Sequence, residues 1–191
     1  MVSQKAKDLI LYYEGLNQPS RWPGGASGIT LGYGYDLGYE GEKSFRKDWG
    51  PYLTEEEIEK LARAVGRTGS DAEEISDQFS DITIKRADAE EVFYKRSLPK
   101  YEEMTRNAFP GFDDLPADAQ GSLVSLVFNR GSSMSGDRRL EMRAIRDLVP
   151  KGDLQGIADQ IRAMKRLWVG KGLDGLLKRR DKEADLVESC I

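Results

Sequence analysis

Two acidic side chains stand where a carboxylate can work on a substrate. Glu14 is followed by Gly15 at the end of an apolar-periodic stretch. Asp36 closes the Gly-rich run Gly28-Ile29-Thr30-Leu31-Gly32-Tyr33-Gly34-Tyr35-Asp36, with Thr30 between the two acids. Carboxylates on different elements facing one gap suit glycosidic-bond hydrolysis. One stays protonated to feed the leaving oxygen, and the other stays ionised to direct water or attack the sugar. At a helix C-terminus Glu14 lies against the negative end of the dipole, and Tyr12 and Tyr13 beside it could shield it from water, which suits a proton donor. Read singly, each residue has an ordinary account: a helix-end glutamate, a turn or cap aspartate before Gly38, a β-branched strand threonine.

The elements that must position them follow from local pattern. Residues 3–14 read as an amphipathic helix with Ser3 as N-cap, apolar side chains at Ala6, Leu9, Ile10 and Tyr13, and Gly15 as the stop. Trp22-Pro23-Gly24-Gly25 is a turn signal, and Ile29 to Tyr35 alternates large side chains with glycine as a short strand near a hairpin does. Beyond Gly41 the chain reads as mostly helical. Thr54-Glu55-Glu56-Glu57 is a capping box, a short helix covers 71–79, and a long pattern runs from Arg86 to about Ala108, kinked by Pro99. The most apolar helix, 116–129, belongs at the centre of the C-terminal part, with helices over 138–149, 154–169 and 173–187 after it. The expected fold is α+β and mostly helical, with one small β region near the N-terminus.

Composition narrows the chemistry. The chain has 191 residues, no histidine and a single cysteine, Cys190, so zinc sites built on histidine, Ser-His-Asp triads, Cys-His pairs and internal disulfides are all excluded. A net charge of −4 gives no support to a nucleic-acid or anionic-membrane partner that depends on bulk positive charge. No run is long and apolar enough to span a bilayer, and Met1 to Asp8 is too polar for a secretory signal, so synthesis in a cytoplasm is expected. Gly32-x-Gly34-x-x-x-Gly38 has the wrong spacing for a dinucleotide loop. Ser97-Leu98-Pro99-Lys100 fits S-x-x-K but lacks its companion motifs.

Three blocks carry a family resemblance. Glu14-Gly15 followed by Gly28-Ile29-Thr30-Leu31-Gly32-Tyr33-Gly34 resembles the signature of phage-type lysozymes, glycoside hydrolase family 24. Residues 119–131, ending Val127-Phe128-Asn129-Arg130-Gly131, look like that family's central helix. Gly175-Leu176-Leu177-Lys178-Arg179-Arg180-Asp181-Lys182-Glu183 looks like its closing helix. The common phage pattern places its second acid about nine residues after the glutamate, but position 23 is proline and no acid occurs between Glu14 and Asp36. The Thr-x-G-x-G-x-Asp order instead resembles the pesticin-like muramidase variant, with Tyr35 where a histidine often stands.

The resemblance implies a lysozyme-like fold over 1–191, with two lobes around a cleft. The N-terminal lobe covers about 15–85 with the β-hairpin, a linking helix about 86–108, and a helical C-terminal lobe about 109–191 packed with helix 3–14. It implies a muramidase that cleaves the β-1,4 bond between N-acetylmuramic acid and N-acetylglucosamine. Glu14 is then the general acid, with Asp36 and Thr30 orienting or activating water and no metal or cofactor required. Phe128 and Asn129 become sugar contacts, against core packing and C-terminal capping as their ordinary readings. Trp22 and Tyr33 could stack on sugar faces, with Tyr35 beside them; Trp22 could equally anchor its turn on Pro23. Arg179 or Arg180 could reach Glu14, although a structural pair with Glu183 or Asp185 suits them better.

The implied partner is bacterial peptidoglycan, met as a monomer at the cell wall after release through a holin-type pore. A phage endolysin fits this best, and a virion lysin, a bacteriocin or effector lysozyme, a lytic transglycosylase and a non-catalytic glycan-binding module remain as alternatives.

Overall fold

Glycine decides where the β region bends. The expected small β-hairpin is present as two short antiparallel strands, β1 (Thr30–Leu31) and β2 (Tyr35–Asp36), with the turn falling inside the 29–35 stretch. The chain turns through Gly32 and Gly34, both left-handed at φ +56° and +73°, a conformation that costs other residues a steric penalty. The register sets Thr30 opposite Asp36 and Leu31 opposite Tyr35. A β-bridge between Asn17 and Gly32 joins the hairpin tip to the segment just after Glu14, through paired backbone hydrogen bonds of 2.8 and 3.0 Å.

The computed structural model describes residues 2–191. The chain is mostly helical, with the hairpin as a small antiparallel sheet. It divides into two compact units: residues 14–99 form one, and residues up to 13 together with 100–191 form the other.

In the unit of residues 14–99 the hairpin is followed by α2 (Glu42–Trp49), α3 (Glu55–Ala62), α4 (Ser70–Ser76) and α5 (Arg86–Val92). The capping box expected at Thr54 is present, with reciprocal bonds between Thr54 and Glu57 at the start of α3. Phe45 and Trp49 of α2 are buried, and the Trp49 ring meets Tyr35 edge-on at 5.9 Å. Gly32 lies so close to α5 that a Cβ there would sit 2.8 Å from the Ala89 methyl. After α5 the helix continues through a π turn at Phe93–Ser97 into α6 (Leu98–Ala108), so 86–108 is one run as expected. Pro99 has no N–H and its ring crowds the carbonyl four residues back. The wider turn, with Leu98 N–H reaching the Phe93 carbonyl, absorbs that crowding.

The other unit is built around α7 (Ala117–Arg130), whose residues 119–128 are all buried. A helix buried around its whole circumference must satisfy every polar side chain internally. Gln120 donates to the carbonyls of Asp113 and Leu115. Ser122 donates to the Glu183 carbonyl, and Ser125 to the Glu183 carboxylate at 2.6 Å. Val2, just before α1 (Gln4–Glu14), and Ala6 within it pack directly on this helix, because Gly121 has no Cβ; an added one would stand 2.1 Å from the Ala6 methyl. Three helices complete the unit: α8 (Leu140–Leu148), α9 (Leu154–Ala163) and α10 (Asp174–Glu188). The 154–169 helix of the sequence ends early, in a 3-10 turn over Met164–Leu167.

Glu183 is fully buried on α10 and is matched by two arginines of the same helix. Arg179 Nε stands 3.2 Å from its Oε1, and Arg180 Nε 2.7 Å from its Oε2. The structural pairing expected for these arginines is thus made with Glu183. Removing one member of such a set leaves uncompensated charge in a dry interior. Glu183→Ala is expected to cost about 3–5 kcal/mol of unfolding free energy, measured by urea denaturation, because both arginines lose their counter-ion.

Candidate active site

Asp36 is the most constrained acid of the hairpin. It is the N-cap of the 3-10 turn Leu37–Tyr39, and its Oδ1 accepts the Gly38 N–H at 2.8 Å. The Gly28 N–H reaches the same carboxylate from the other side, at 3.0 Å to Oδ1 and 3.1 Å to Oδ2. This double grip requires glycine at 28, since a Cβ there would lie 2.4 Å from both Asp36 Oδ1 and the Gly38 nitrogen. The turn and cap role that a lone aspartate suggested is therefore real, and it fixes the carboxylate's direction. Burial raises the Asp36 pKa above the ordinary 3.8, outweighing the Gly38 and Gly28 amides that favour the charged form.

Thr30, directly across the register, is buried, and its hydroxyl donates to the Gly28 carbonyl at 3.4 Å. Glu14 is the last residue of α1, followed by Gly15 at φ +66°, and its side chain is half-buried. The Asn17–Gly32 bridge ties the segment it starts to the hairpin that carries the other two. Glu14, Thr30 and Asp36 thus all belong to the unit of residues 14–99. Tyr12 is 80% exposed, so its ring lies largely in water.

The aromatic residues read as sugar platforms need correction. Tyr33 is only 3% exposed; its ring meets Phe93 edge-on at 6.2 Å, and its hydroxyl accepts from Arg86 at 2.8 Å. Tyr35 is 5% exposed, and its hydroxyl donates to Asp48 Oδ2, whose other oxygen pairs with Arg96 at 2.8 Å. Burial, reinforced by the Asp48 charge, pushes the Tyr35 phenol far above its normal range. Neither ring offers a free face: Tyr33 from the turn and Tyr35 from β2 are both buried. Trp22 is half-buried and donates its Nε1–H to the Ser27 carbonyl at 2.8 Å, so it fastens its own turn.

Phe128 and Asn129 lie in the other unit. Phe128 is buried with its ring 4.1 Å from that of Tyr101, which fits the packing reading, whereas Asn129 is exposed at the end of α7. Among the described residues no group of three or more acids or cysteines is placed to hold a metal ion. No helix among them is long and apolar enough to cross a membrane.

Several positioning residues carry no local signal. Gln18 pairs with the Ile84 backbone in both directions, at 3.0 and 2.8 Å, and so acts as a one-residue strand partner. Asp48 and Arg86 serve the hairpin tyrosines from 13 and 53 residues away. Gly28 stands inside the motif, yet its need to approach Asp36 follows only from the fold.

Residues 15–109 match the family described as Domain of unknown function (DUF8812). The match spans just under half of the chain, begins one residue after Glu14 and contains the whole hairpin. No curated protein matches the chain.

The Asp36 environment has a pH consequence. The folded state binds its proton more tightly than the unfolded chain, so this group's stabilising contribution is present below pH 3.8 and lost as pH rises through the raised folded value. In a pH series of urea melts, Asp36→Asn is expected to flatten that segment of the stability profile. Gly28→Ala is expected to destabilise the protein by about 1–3 kcal/mol, read in the same melts, because its methyl displaces the Asp36 carboxylate.

Proposed function

We propose that this chain is a peptidoglycan hydrolase, a muramidase of lysozyme-like fold cleaving the β-1,4 bond between N-acetylmuramic acid and N-acetylglucosamine. The observation that carries the reading is the grip on Asp36: a half-buried carboxylate aimed by two amides, facing Thr30 across the hairpin, in the unit that also contains Glu14. The order Glu, Thr, Asp along the chain and the resemblance to phage-type lysozymes support the same assignment.

In this mechanism Glu14 donates a proton to the glycosidic oxygen as the bond to the muramic acid C1 breaks. Asp36, ionised, steers water onto that carbon and stabilises the positive charge that develops on the ring. Holding the carboxylate by backbone amides removes the need to reorganise it during the reaction. Thr30, opposite Asp36 in the register, is the residue the resemblance assigns to orienting that water.

A second reading rests on a specific observation. Both Asp36 oxygens and the Thr30 hydroxyl already have partners inside the hairpin, which suits a non-catalytic glycan-binding module on the same scaffold.

Mass spectrometry of purified peptidoglycan incubated with the protein separates the readings. Muropeptides with a reducing N-acetylmuramic acid end are the expected products. Products with a 1,6-anhydro end would identify a lytic transglycosylase, and no soluble product despite pull-down by the wall would identify a binding module. Glu14→Gln is expected to abolish release while leaving the thermal midpoint near that of the parent, and Asp36→Asn to lower the rate by about 100-fold or more. The rate should rise with pH as Asp36 ionises, with its acid limb above the ordinary carboxylate value of 3.8.

A further inference from the structure

The unit of residues 100–191 holds a concentration of arginine that its own carboxylates do not neutralise. A cavity of about 490 Å³ opens beside the loop that follows α7, lined by Arg130, Ser133, Ser135, Arg138, Arg139 and Trp168. Arg130 lies over the Trp168 ring, its guanidinium 5.1 Å from the centroid, and Arg180 approaches the same ring at 5.7 Å.

Two of these guanidinium groups are tied down on one side only. Arg130 Nη2 donates to the Arg138 carbonyl, and Arg139 Nη2 donates to the Arg130 carbonyl. The Nη1 atoms of both Arg130 and Arg139 are buried without a hydrogen-bond partner. Among the described residues, no carboxylate forms an ion pair with Arg130, Arg138 or Arg139. The acid nearest in effect, Glu141, is engaged by Arg166 through both carboxylate oxygens. Burial first, and then repulsion from Arg139 and Arg180, pulls the Arg130 pKa down to about 10. A half-buried guanidinium without a carboxylate partner is held at a cost, and an anion bound in the adjoining cavity offsets its charge.

We propose that this cavity is a binding site for the phosphate group of a small phosphorylated ligand. Guanidinium forks suit both carboxylate and phosphate. Three converging positive charges and two serine hydroxyls favour the doubly charged, tetrahedral group, which can accept from several directions at once. The cavity volume falls in the range of small-ligand sites and exceeds what a lone phosphate fills, so there is room for a sugar-sized body behind it. Arg143 keeps the loop in place by donating to the carbonyls of Met134 and Gly136 at 2.8 and 2.9 Å. The site lies in the unit that lacks Glu14, Thr30 and Asp36, and it stands whether or not the hydrolase reading does.

Titration of the full chain at constant ionic strength tests this. The probes are inorganic phosphate, glucose 6-phosphate and malonate, followed by amide NMR of residues 131–139 and by thermal melting. Saturable shifts confined to that loop are expected, with a melting point that rises with phosphate and a tighter response to glucose 6-phosphate than to malonate. Arg139→Ala and Arg138→Ala are each expected to weaken phosphate binding by about tenfold. Arg138 is exposed and its side chain makes no hydrogen bond among the described residues, so its variant keeps the test valid if Arg139→Ala fails to fold. A response that does not saturate, malonate binding as tightly as the phosphates, or an Arg138→Ala protein binding like the parent would overturn the proposal.

Discussion

A carboxylate held between two peptide N–H groups organises the N-terminal half of this protein. Asp36 draws Gly28 and Gly38 to within hydrogen-bond reach of one side chain, and that contact pins the strand entering the hairpin to the turn leaving it. With only two residues in each strand, the hairpin has too few ladder bonds to persist by itself. Its stability comes from this grip, from the Asn17 bridge at its tip, and from the Tyr35 and Trp49 rings packed beneath it. Anything asked of Asp36 chemically is asked of a group whose position the backbone has already decided.

The helical unit solves a different electrostatic problem. Its central helix is buried on all sides, so charge can enter only in matched sets. Glu183 takes up Arg179 and Arg180, and Ser125 donates to its Oε1. Glu141, equally buried, takes up Arg166. From the last residue of α7 onward the matching stops: Arg130, Arg138 and Arg139 line one cavity, and the acceptors of Arg130 and Arg139 are backbone carbonyls. The contrast within one unit lies in the acceptors: carboxylates serve Arg179, Arg180 and Arg166, whereas backbone carbonyls serve Arg130 and Arg139.

The packing beneath the hairpin also explains why its tyrosines are structural and not ligand-facing. Tyr33 and Tyr35 flank Gly34, and from sequence both looked available to a ligand. Tyr33 stands in the turn between Gly32 and Gly34 while Tyr35 opens β2, and both rings are buried. Each hydroxyl then needs a buried partner, and Arg86 and Asp48 provide them.

What the sequence by itself determined was the local grammar. The Ser3 cap with Gly15 as stop, the capping box at Thr54, the apolar helix 117–130 and the unbroken run from 86 to 108 all rest on interactions spanning a few residues, which spacing records. The candidate acids were legible for the same reason, since each sits at the end of an element that its neighbours define. Only the tertiary structure decided which side chains face inward, why position 28 must be glycine, and where positive charge is left unmatched. Those outcomes depend on groups 8 to 66 residues apart meeting at a few ångströms, as Gly28 meets Asp36 and Gln18 meets Ile84, and no local period encodes such meetings.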